Sequence, residues 1–596
     1  MVKAIFGAYG VQSSRFPLVF DHPLKIYSAS ELKDVLPLLK ELEDAAKSGQ
    51  WVALMLSYEA APAFDPALKT HPLMEFPLVW AAVFSGPTKS GVGYRVSGAE
   101  LPGYPAPDTR HPAPHHYRVG EWRAQVTRCD YVEAIDRIHD RIARGHTYQV
   151  NYTFPQTSTF SGDSLAWYVQ LCHAQGAELC AYLDLGRYQV LSLSPELFFE
   201  RKGRLVLTKP MKGTIKRGRW ALEDREMATR LKTSAKDRAE NVMIVDLLRN
   251  DLGKVSVPGS VRVSQLFEVE RFETLWQMTS TVESTLCDAV TLADLFAALF
   301  PCGSITGAPK IRTMEIIREL ESNPRGSYTG AIGLIRPGGD CRFNVAIRTV
   351  VIDSQNGTAN FGVGGGITID STAEREYDEC LLKSSFLNST VVPFRLLETI
   401  LLEDGDLFLL ERHLERLQAS ADYFGFQFSQ EKVIGALKDT AAAHSADTWK
   451  VRLLLANDGE VEIETTEICH DDKRPLRVCL ASSPVHSSNR FLFHKTTNRK
   501  IYEDACAARS DCDDVVLWNE RGEITESSIA NIVVPMHGKL YTPPQSSGLL
   551  AGTFRAQLLA EGMIRETVIT IEELLQSEDL FLINSVRRWM PAKLVD

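Results

Sequence analysis

The chain of 596 residues has no CxxC pair and no apolar run long enough to cross a membrane. Eleven cysteines are scattered without a pairing pattern, so neither a zinc ribbon nor a disulfide framework is expected. Reduced thiols in a cytoplasmic protein are the expectation instead. The opening MVKAIFGAYG has no signal-peptide apolar region and no small-residue cleavage site. Excess basic charge is also missing: a net charge of −11 speaks against nucleic acid as a partner. What is present, 44% hydrophobic and 24% charged residues, is the balance of an ordinary soluble globular protein. The length exceeds a single core and predicts about two to four domains.

Leu32, Val35, Leu36, Leu39 and Leu42 recur at helical spacing, which predicts a helix over 30–47 ended near Gly49. WVALMLSY (51–58) reads as a buried strand. Pro102, Pro105, Pro107, Pro112 and Pro114 crowd the segment from Leu101 to His116. That density of fixed φ angles and missing donors predicts an extended linker.

Beyond it, strand-like and helical runs alternate. A helix striped by Tyr131, Ile135, Ile138 and Ile142 stops at Gly145, and a strand carrying Gln149 and Asn151 follows over 148–154. LSLSPELFFE (191–200) reads as one strand broken by Pro195 and Glu196; a proline there implies an edge or bulge that can re-aim a side chain. KDRAENVMIVDLLRND (236–251) is a helix, and CGSITGAPKIRTMEIIREL (302–320) a glycine-bearing turn feeding another. Pro309 suits the first helical position, and the amides before it, beside Lys310, form a candidate anion site. Glycines 362, 364, 365 and 366 precede a strand pattern rather than a helix, so they are not a dinucleotide fingerprint. Glu376, Glu379 and Lys383 share one face of a helix over 372–386.

At the centre of TKPMKGTIKRG (208–218) stands Lys212, in what reads as a turn between Pro210 and Gly213. By themselves these residues have plain explanations. Lys212 is a solvated loop lysine, Lys236 and Glu240 a surface pair, Lys310 an ordinary helix start, and Glu376, Glu379 and Lys383 an ion-paired face.

Taken together, GHTYQVN (145–151), SPELFF (194–199), PMKGT (210–214), ENVMIVDLLRNDLG (240–253), GSITGAPKIRTMEII (303–317), YTGAIG (328–333), AIRT (346–349) and the GGGI segment resemble the chorismate-utilising enzymes, specifically component I of aminodeoxychorismate synthases. The likeness is dense over 120–390; over 1–100 it is weak, though LSYEAAPAFD (56–65) also fits. It implies Mg²⁺ ligation by Glu240 and Glu379. It implies substrate contacts from Tyr328, Arg348, Lys383, Thr306, Lys310 and the Gly364, Gly365 and Gly366 backbone, and an active-site acid at Glu196. Gln149 falls where the isochorismate and salicylate synthases carry a water-activating lysine, which disfavours hydroxylation. Anthranilate synthases carry alanine at the position of Lys212. Here the lysine is implied to attack chorismate C2, after which ammonia enters at C4. The amine must be neutral to attack, through burial or a nearby cation, with Lys209 as the candidate neighbour. Gln277 departs from the histidine of many relatives; it can hydrogen-bond the substrate or leaving hydroxyl but cannot act as an acid.

After Ser389 the pattern resets. A hairpin is expected over Asp404-Gly405, then a helix over 413–424. RFLFHKTTNRKIYEDA (490–505), ITESSIANIVV (524–534), SSGLLAGTFR (546–555) and FLINSVRR (581–588) resemble fold-type IV pyridoxal 5'-phosphate enzymes, especially aminodeoxychorismate lyases. The likeness implies Lys495 as the Schiff-base lysine and Glu526 as the carboxylate on the pyridine nitrogen. It implies Arg416, Gly552, Thr553 and Ser585 as phosphate contacts. Two departures are visible: FRLLET replaces the aspartate-glycine opening of many members, and Lys500 stands where branched-chain transaminases carry a tyrosine.

The expected architecture is therefore α/β and α+β multidomain: an anthranilate synthase component I-like chorismate-binding fold followed by a D-amino acid aminotransferase-like fold of type IV. Its parts are an N-terminal region (1–118), a chorismate-binding catalytic domain (119–390) and a lyase domain (391–596). The implied function is bifunctional 4-aminobenzoate synthesis for folate. No GxCxG-type glutaminase segment occurs, so ammonia is expected from a separate glutamine amidotransferase subunit. The rivals are an anthranilate-forming first module, a transaminase second module, or a second module that is an inactive scaffold.

Overall fold

The computed structural model describes residues 2–7, 17–73, 75–88, 117–388, 393–444, 447–468, 474–509, 511–577 and 579–595. The proline-rich linker expected over 101–116 and the boundary expected at Ser389 lie outside them. The chain divides into two compact units: Met1–Lys216 with Ala228–Val391, and Arg217–Met227 with Val392–Asp596.

The first unit is built on two ten-stranded sheets. Their facing sides are lined by Ala4, Phe20, Ala181, Leu183 and Val190 from one sheet and by Ala53, Met55, Trp80, Ala82, Ile332 and Leu334 from the other. Alanines alternate there with large apolar side chains such as Phe20, Met55 and Trp80, which fill the space between the sheets. Helices cover both outer faces. Arg128–Ala143, Ser164–Gln175 and Ala373–Ser384 bury their apolar stripes on one sheet. Leu32–Lys47, Ala235–Gly253 and Leu292–Leu299 do so on the other. The N-terminal strands are not a separate layer. Val2–Phe6 pairs with Leu179–Asp184, and Trp51–Leu56 pairs with Ala331–Ile335, so both sheets need both ends of the unit.

One expected strand is in fact two. The run over 191–200 divides into Tyr188–Ser194 in the first sheet and Leu197–Lys202 in the second, with Pro195 and Glu196 at the crossing. A second crossing lies between Cys341–Val345 in the second sheet and Thr349–Asp353 in the first, with Arg348 between them at φ 51°. A proline and a left-handed residue each stop a strand where the chain must change sheets. The Glu196 carbonyl accepts from the Val345 amide at 3.0 Å, which ties the two crossings together.

Lys212 is not in a turn. It lies in the strand Met211–Lys216, where the register with Leu275–Thr285 slips between Met211 and Thr214. Gly213 takes φ +85°, and a β-carbon there would stand 2.8 Å from Asp237 Cβ. The slip is a bulge, and bulges re-aim side chains.

In the second unit Leu396–Glu403 turns over Asp404 and Gly405, both at positive φ, as the hairpin signal predicts. The helix expected over 413–424 begins earlier, as Leu410–Phe424. A four-stranded and an eight-stranded sheet complete the unit. The segment Arg217–Met227 is held there by Trp220, whose ring lies 5.1 Å from that of Phe493, and by Tyr423 Oη, which donates to the Gly218 carbonyl at 2.7 Å. The expectation of reduced thiols fails at one pair: Cys479 and Cys512 are joined by a disulfide. No helix of the described residues is long and apolar enough to cross a membrane.

Candidate active sites

The strand Thr358–Ile367 forms the floor of the first site. A β-carbon on Gly366 would stand 3.0 Å from Lys212 Nζ and 2.6 Å from Gln149 Nε2. One on Gly365 would stand 3.2 Å from Glu376 Oε2 and 3.7 Å from Lys383 Nζ. The Gly364 carbonyl accepts from Lys383 Nζ at 2.9 Å. The glycines therefore do not serve strand packing alone; they make room for polar and charged groups from three other segments, the strands of Gln149 and Lys212 and the helix of Glu376 and Lys383.

Burial pulls Lys212 below the ordinary lysine range; Glu240 and Glu196 pull it back up, and Lys383 pushes it down again. Lys209, expected to be the neighbouring cation, is instead ion-paired to Glu270. Glu196 is buried and accepts from Ser304 Oγ at 2.6 Å. Burial pushes it up to about 7, so near neutral pH it can still carry a proton. Gln149 is fully buried, and among the described residues neither its amide oxygen nor its nitrogen has a partner, so it is available to a ligand.

Arg348 is pulled down to about 10 by burial, donates to the Lys383 carbonyl, and lies 5.8 Å over Phe386. Tyr328 is pushed up by burial, and its ring covers Gly362, where a β-carbon would come within 2.2 Å of it. Thr306 caps its own turn, donating to the Cys302 carbonyl at 3.1 Å.

Two expected substrate contacts have partners within the protein. Gln277 Nε2 donates to the Gly213 carbonyl at 2.9 Å, and its Oε1 accepts from Thr214 Oγ1 at 3.0 Å. Both ends of the amide are spent on the strand that carries Lys212. Lys310 Nζ is paired with buried Asp251 at 3.0 Å and donates to the Leu299 carbonyl at 3.2 Å.

Glu240 and Glu376 are each raised first by burial and then by neighbouring carboxylates, Asp237 and Glu376 bearing on Glu240, and Glu379 on Glu376. Burial also raises Glu379, but Lys383 at 2.8 Å, with Lys212 and Arg348, outweighs it and lowers its value. Half-buried carboxylates that destabilise one another suit a hard divalent cation.

Behind the site, Arg325 is fully buried in a two-toothed pair with Glu321 and donates to the Asn151 carbonyl at 2.7 Å and the Ile305 carbonyl at 3.0 Å. Glu59 accepts the backbone amides of Arg325 and Gly326 at 2.6 and 3.0 Å. Sequence reading missed this network. Its one signal was a glutamate, Glu59, beside the end of a buried strand.

In the second unit Lys495 is buried and pulled down to about 8, by burial first and Arg416 next. Burial pushes Glu526 up to about 7. Arg416 forms two hydrogen bonds to buried Glu398, at 2.8 and 2.6 Å, and donates to the Ala551 carbonyl at 3.3 Å. Burial raises Glu398, but Arg416 and His413 outweigh it and bring it down to about 2. Gly552 precedes the helix Thr553–Ala560, and the Thr553 hydroxyl bonds His413 Nε2 at 3.2 Å. Ser585 Oγ donates to the Thr399 carbonyl at 3.2 Å, one residue from Glu398. An arginine beside a helix start, a buried lysine and a buried carboxylate form a donor set that fits a phosphorylated pyridine aldehyde. Lys500 points away and pairs with Asp504 at 3.0 Å. Glu398 and His413 were missed; the acid inside the apolar run LLETILLE was the available signal.

Residues 12–389 match the family described as chorismate binding enzyme, and residues 395–595 the family described as amino-transferase class IV. Aminodeoxychorismate synthase component 1 of Salmonella typhimurium is 42% identical over 258 residues, which is 43% of this chain and 56% of that relative. Its namesake from Bacillus subtilis is 40% identical over 266 residues, 45% of this chain and 56% of that relative. The chain thus spans a little over half the length of these relatives. The crystal structure of anthranilate synthase component I from Streptococcus pneumoniae aligns with a TM-score of 0.51 at 25% identity, covering 65% of this chain and 92% of that one.

Proposed function

The chain belongs to the chorismate binding enzyme family, and from that premise we propose that it makes 4-aminobenzoate from chorismate and ammonia in two steps. The observation that carries this reading is Lys212, a buried amine driven toward its neutral form beside Glu196 and the glycine floor. In the first step Lys212 Nζ bonds to ring C2 while the bond from C4 to its hydroxyl breaks. Glu196 supplies the proton with which that hydroxyl departs as water. Ammonia then bonds to C4 as the bond from C2 to Lys212 breaks, and the double bonds return. This divides one difficult substitution into two. Arg348, Lys383 and Tyr328 hold the substrate, Arg348 and Lys383 facing its carboxylates. Glu240 and Glu379 would hold Mg²⁺, which when bound supplies charge stabilisation at the substrate's oxygens.

The second step takes place in the lyase domain, for which we propose residues 391–596. Pyridoxal 5'-phosphate, when bound, supplies an electron sink. Arg416, kept in place by Glu398, would hold its phosphate with the Gly552–Thr553 helix start. Lys495 takes the proton from C4 of aminodeoxychorismate, and the enolpyruvyl group leaves C3. The products are pyruvate and 4-aminobenzoate, with aromatisation as the driving force.

Ammonia comes from a separate glutamine amidotransferase subunit, a reading supported by the relatives' designation as component 1. The purified chain alone is then expected to use ammonium but not glutamine.

The test of the whole is chromatography of products from chorismate, ammonium and Mg²⁺ with the cofactor-loaded chain. Wild type is expected to yield 4-aminobenzoate and pyruvate. Lys212→Ala is expected to form no aminodeoxychorismate and Lys495→Ala to stop at it. Anthranilate as the sole aromatic product would overturn the first half, and wild type halting at aminodeoxychorismate the second.

A further inference from the structure

Glu526 is held very differently at its two oxygens. Oε1 accepts Tyr502 Oη at 2.7 Å and the Leu550 amide at 3.2 Å. Oε2 has the Asn531 amide at 3.5 Å, the outer limit of a hydrogen bond, and that same nitrogen has a shorter bond to the Leu550 carbonyl at 2.8 Å. One oxygen is saturated and the other is kept open. Tyr502 is itself fixed. It stands in the helix Lys500–Ala508, and the Arg499 guanidinium lies 4.8 Å over its ring while donating to the Ser528 carbonyl.

A buried carboxylate can keep a proton on a pyridine nitrogen only if it stays the weaker base of the two. Burial works against this, pushing Glu526 up to about 7, whereas the Tyr502 hydroxyl and the Leu550 amide draw it down, as do the charges of Lys495 and Arg499. Burial and the adjacent Glu526 carboxylate keep the Tyr502 hydroxyl protonated, so it is the donor in this bond.

We propose that Tyr502 is a positioning residue of the second active site: by donating to Glu526 Oε1 it leaves Oε2 as the oxygen that holds the proton on the ring nitrogen of the bound cofactor. This rests on the reading that the second unit binds pyridoxal 5'-phosphate through Lys495 and Glu526. Tyr502 is distinct from the tyrosine that transaminases place five residues after their lysine, because that position here is the exposed Lys500.

The test loads the full chain with cofactor labelled with ¹⁵N at the ring nitrogen and records its nitrogen chemical shift, which separates protonated from unprotonated pyridine. Wild type is expected to show the protonated signal. Tyr502→Phe removes only the hydroxyl and is expected to move the proton equilibrium toward the carboxyl by roughly ten- to a hundredfold, the loss of one hydrogen bond to a charged group. Its kcat with aminodeoxychorismate falls while KM holds. If the Phe variant does not take up cofactor, fluorotyrosine at position 502 keeps the shape and makes the hydroxyl a stronger donor; the signal is then expected to move further toward the protonated form. Bound cofactor with a signal unmoved by either replacement, while Glu526→Gln does move it, overturns this role for Tyr502 alone. Wild type that takes up no cofactor overturns the underlying reading and this inference with it.

Discussion

Gly366 and Lys212 are so close that a β-carbon on the first would stand 3.0 Å from the amine of the second. The same carbon would press on the Gln149 amide at 2.6 Å. Gly366→Ala is therefore expected to displace the nucleophile. A misplacement of about an ångström costs roughly a hundredfold in rate. Assays of the separate half-reactions check this: aminodeoxychorismate formation falls by about that factor, while lyase turnover of supplied aminodeoxychorismate is unchanged.

The first half-reaction has a pH signature with a definite sign. Glu196, raised to about 7, donates only while protonated, so activity is lost as pH rises through about 7. Lys212 must lose its proton, so activity is also lost as pH falls through its lowered value. In Glu196→Gln the rate drops by about a hundredfold or more, and what remains no longer declines above about 7. A profile of kcat/KM for chorismate in both proteins decides it.

Gln277 gives a contrast between a substrate contact and a strand tie. Its amide is bonded to Gly213 and Thr214 on either side of the bulge. Gln277→Ala is expected to lower kcat by about tenfold through loss of positioning, with KM for chorismate held. A large rise in KM with kcat intact would restore it as a substrate ligand.

Lys310 should act on stability. Its pair with Asp251 is 13% and 3% exposed, and removing the lysine leaves a buried carboxylate with only Lys254 beside it. Lys310→Met is expected to cost about 3 kcal/mol, seen as a lower Tm in calorimetry, with substrate affinity unchanged where the protein remains folded.

Glu398 links cofactor binding to acid stability. Its folded value, about 2, lies below the ordinary one. Its contribution is therefore complete above about 4.3, the usual glutamate value, and is lost as pH falls toward about 2. Glu398→Gln is expected to flatten that part of the stability profile and to weaken cofactor affinity about tenfold by freeing Arg416, as read by denaturation across pH and by cofactor titration.

The helix over 128–143 was legible because Tyr131, Ile135, Ile138 and Ile142 recur at the helical period and Gly145 marks its end. The hairpin at Asp404-Gly405 was legible for the same reason, since its turn chemistry is local. The two sheet crossings were not. Pro195 read as an interruption and Arg348 gave no local signal; only the pairing of strands far apart in the chain makes each a change of sheet.

The sequence by itself determined the kinds of chemistry present: two lysines in specific motifs, the acids arrayed around each, and the order of the two modules. Side-chain identity and short spacing are written in the chain directly. Only the tertiary structure decided what state those groups are in. Lys212 is a candidate nucleophile because burial disfavours its charge, and that burial comes from segments spread across the chain, from Gln149 to Lys383. Gln277 and Lys310 take partners distant in the chain, Gly213 and Asp251, that the sequence did not announce. Proton affinity and hydrogen-bond partnership depend on which surfaces meet, and that is settled when the sheets and helices pack.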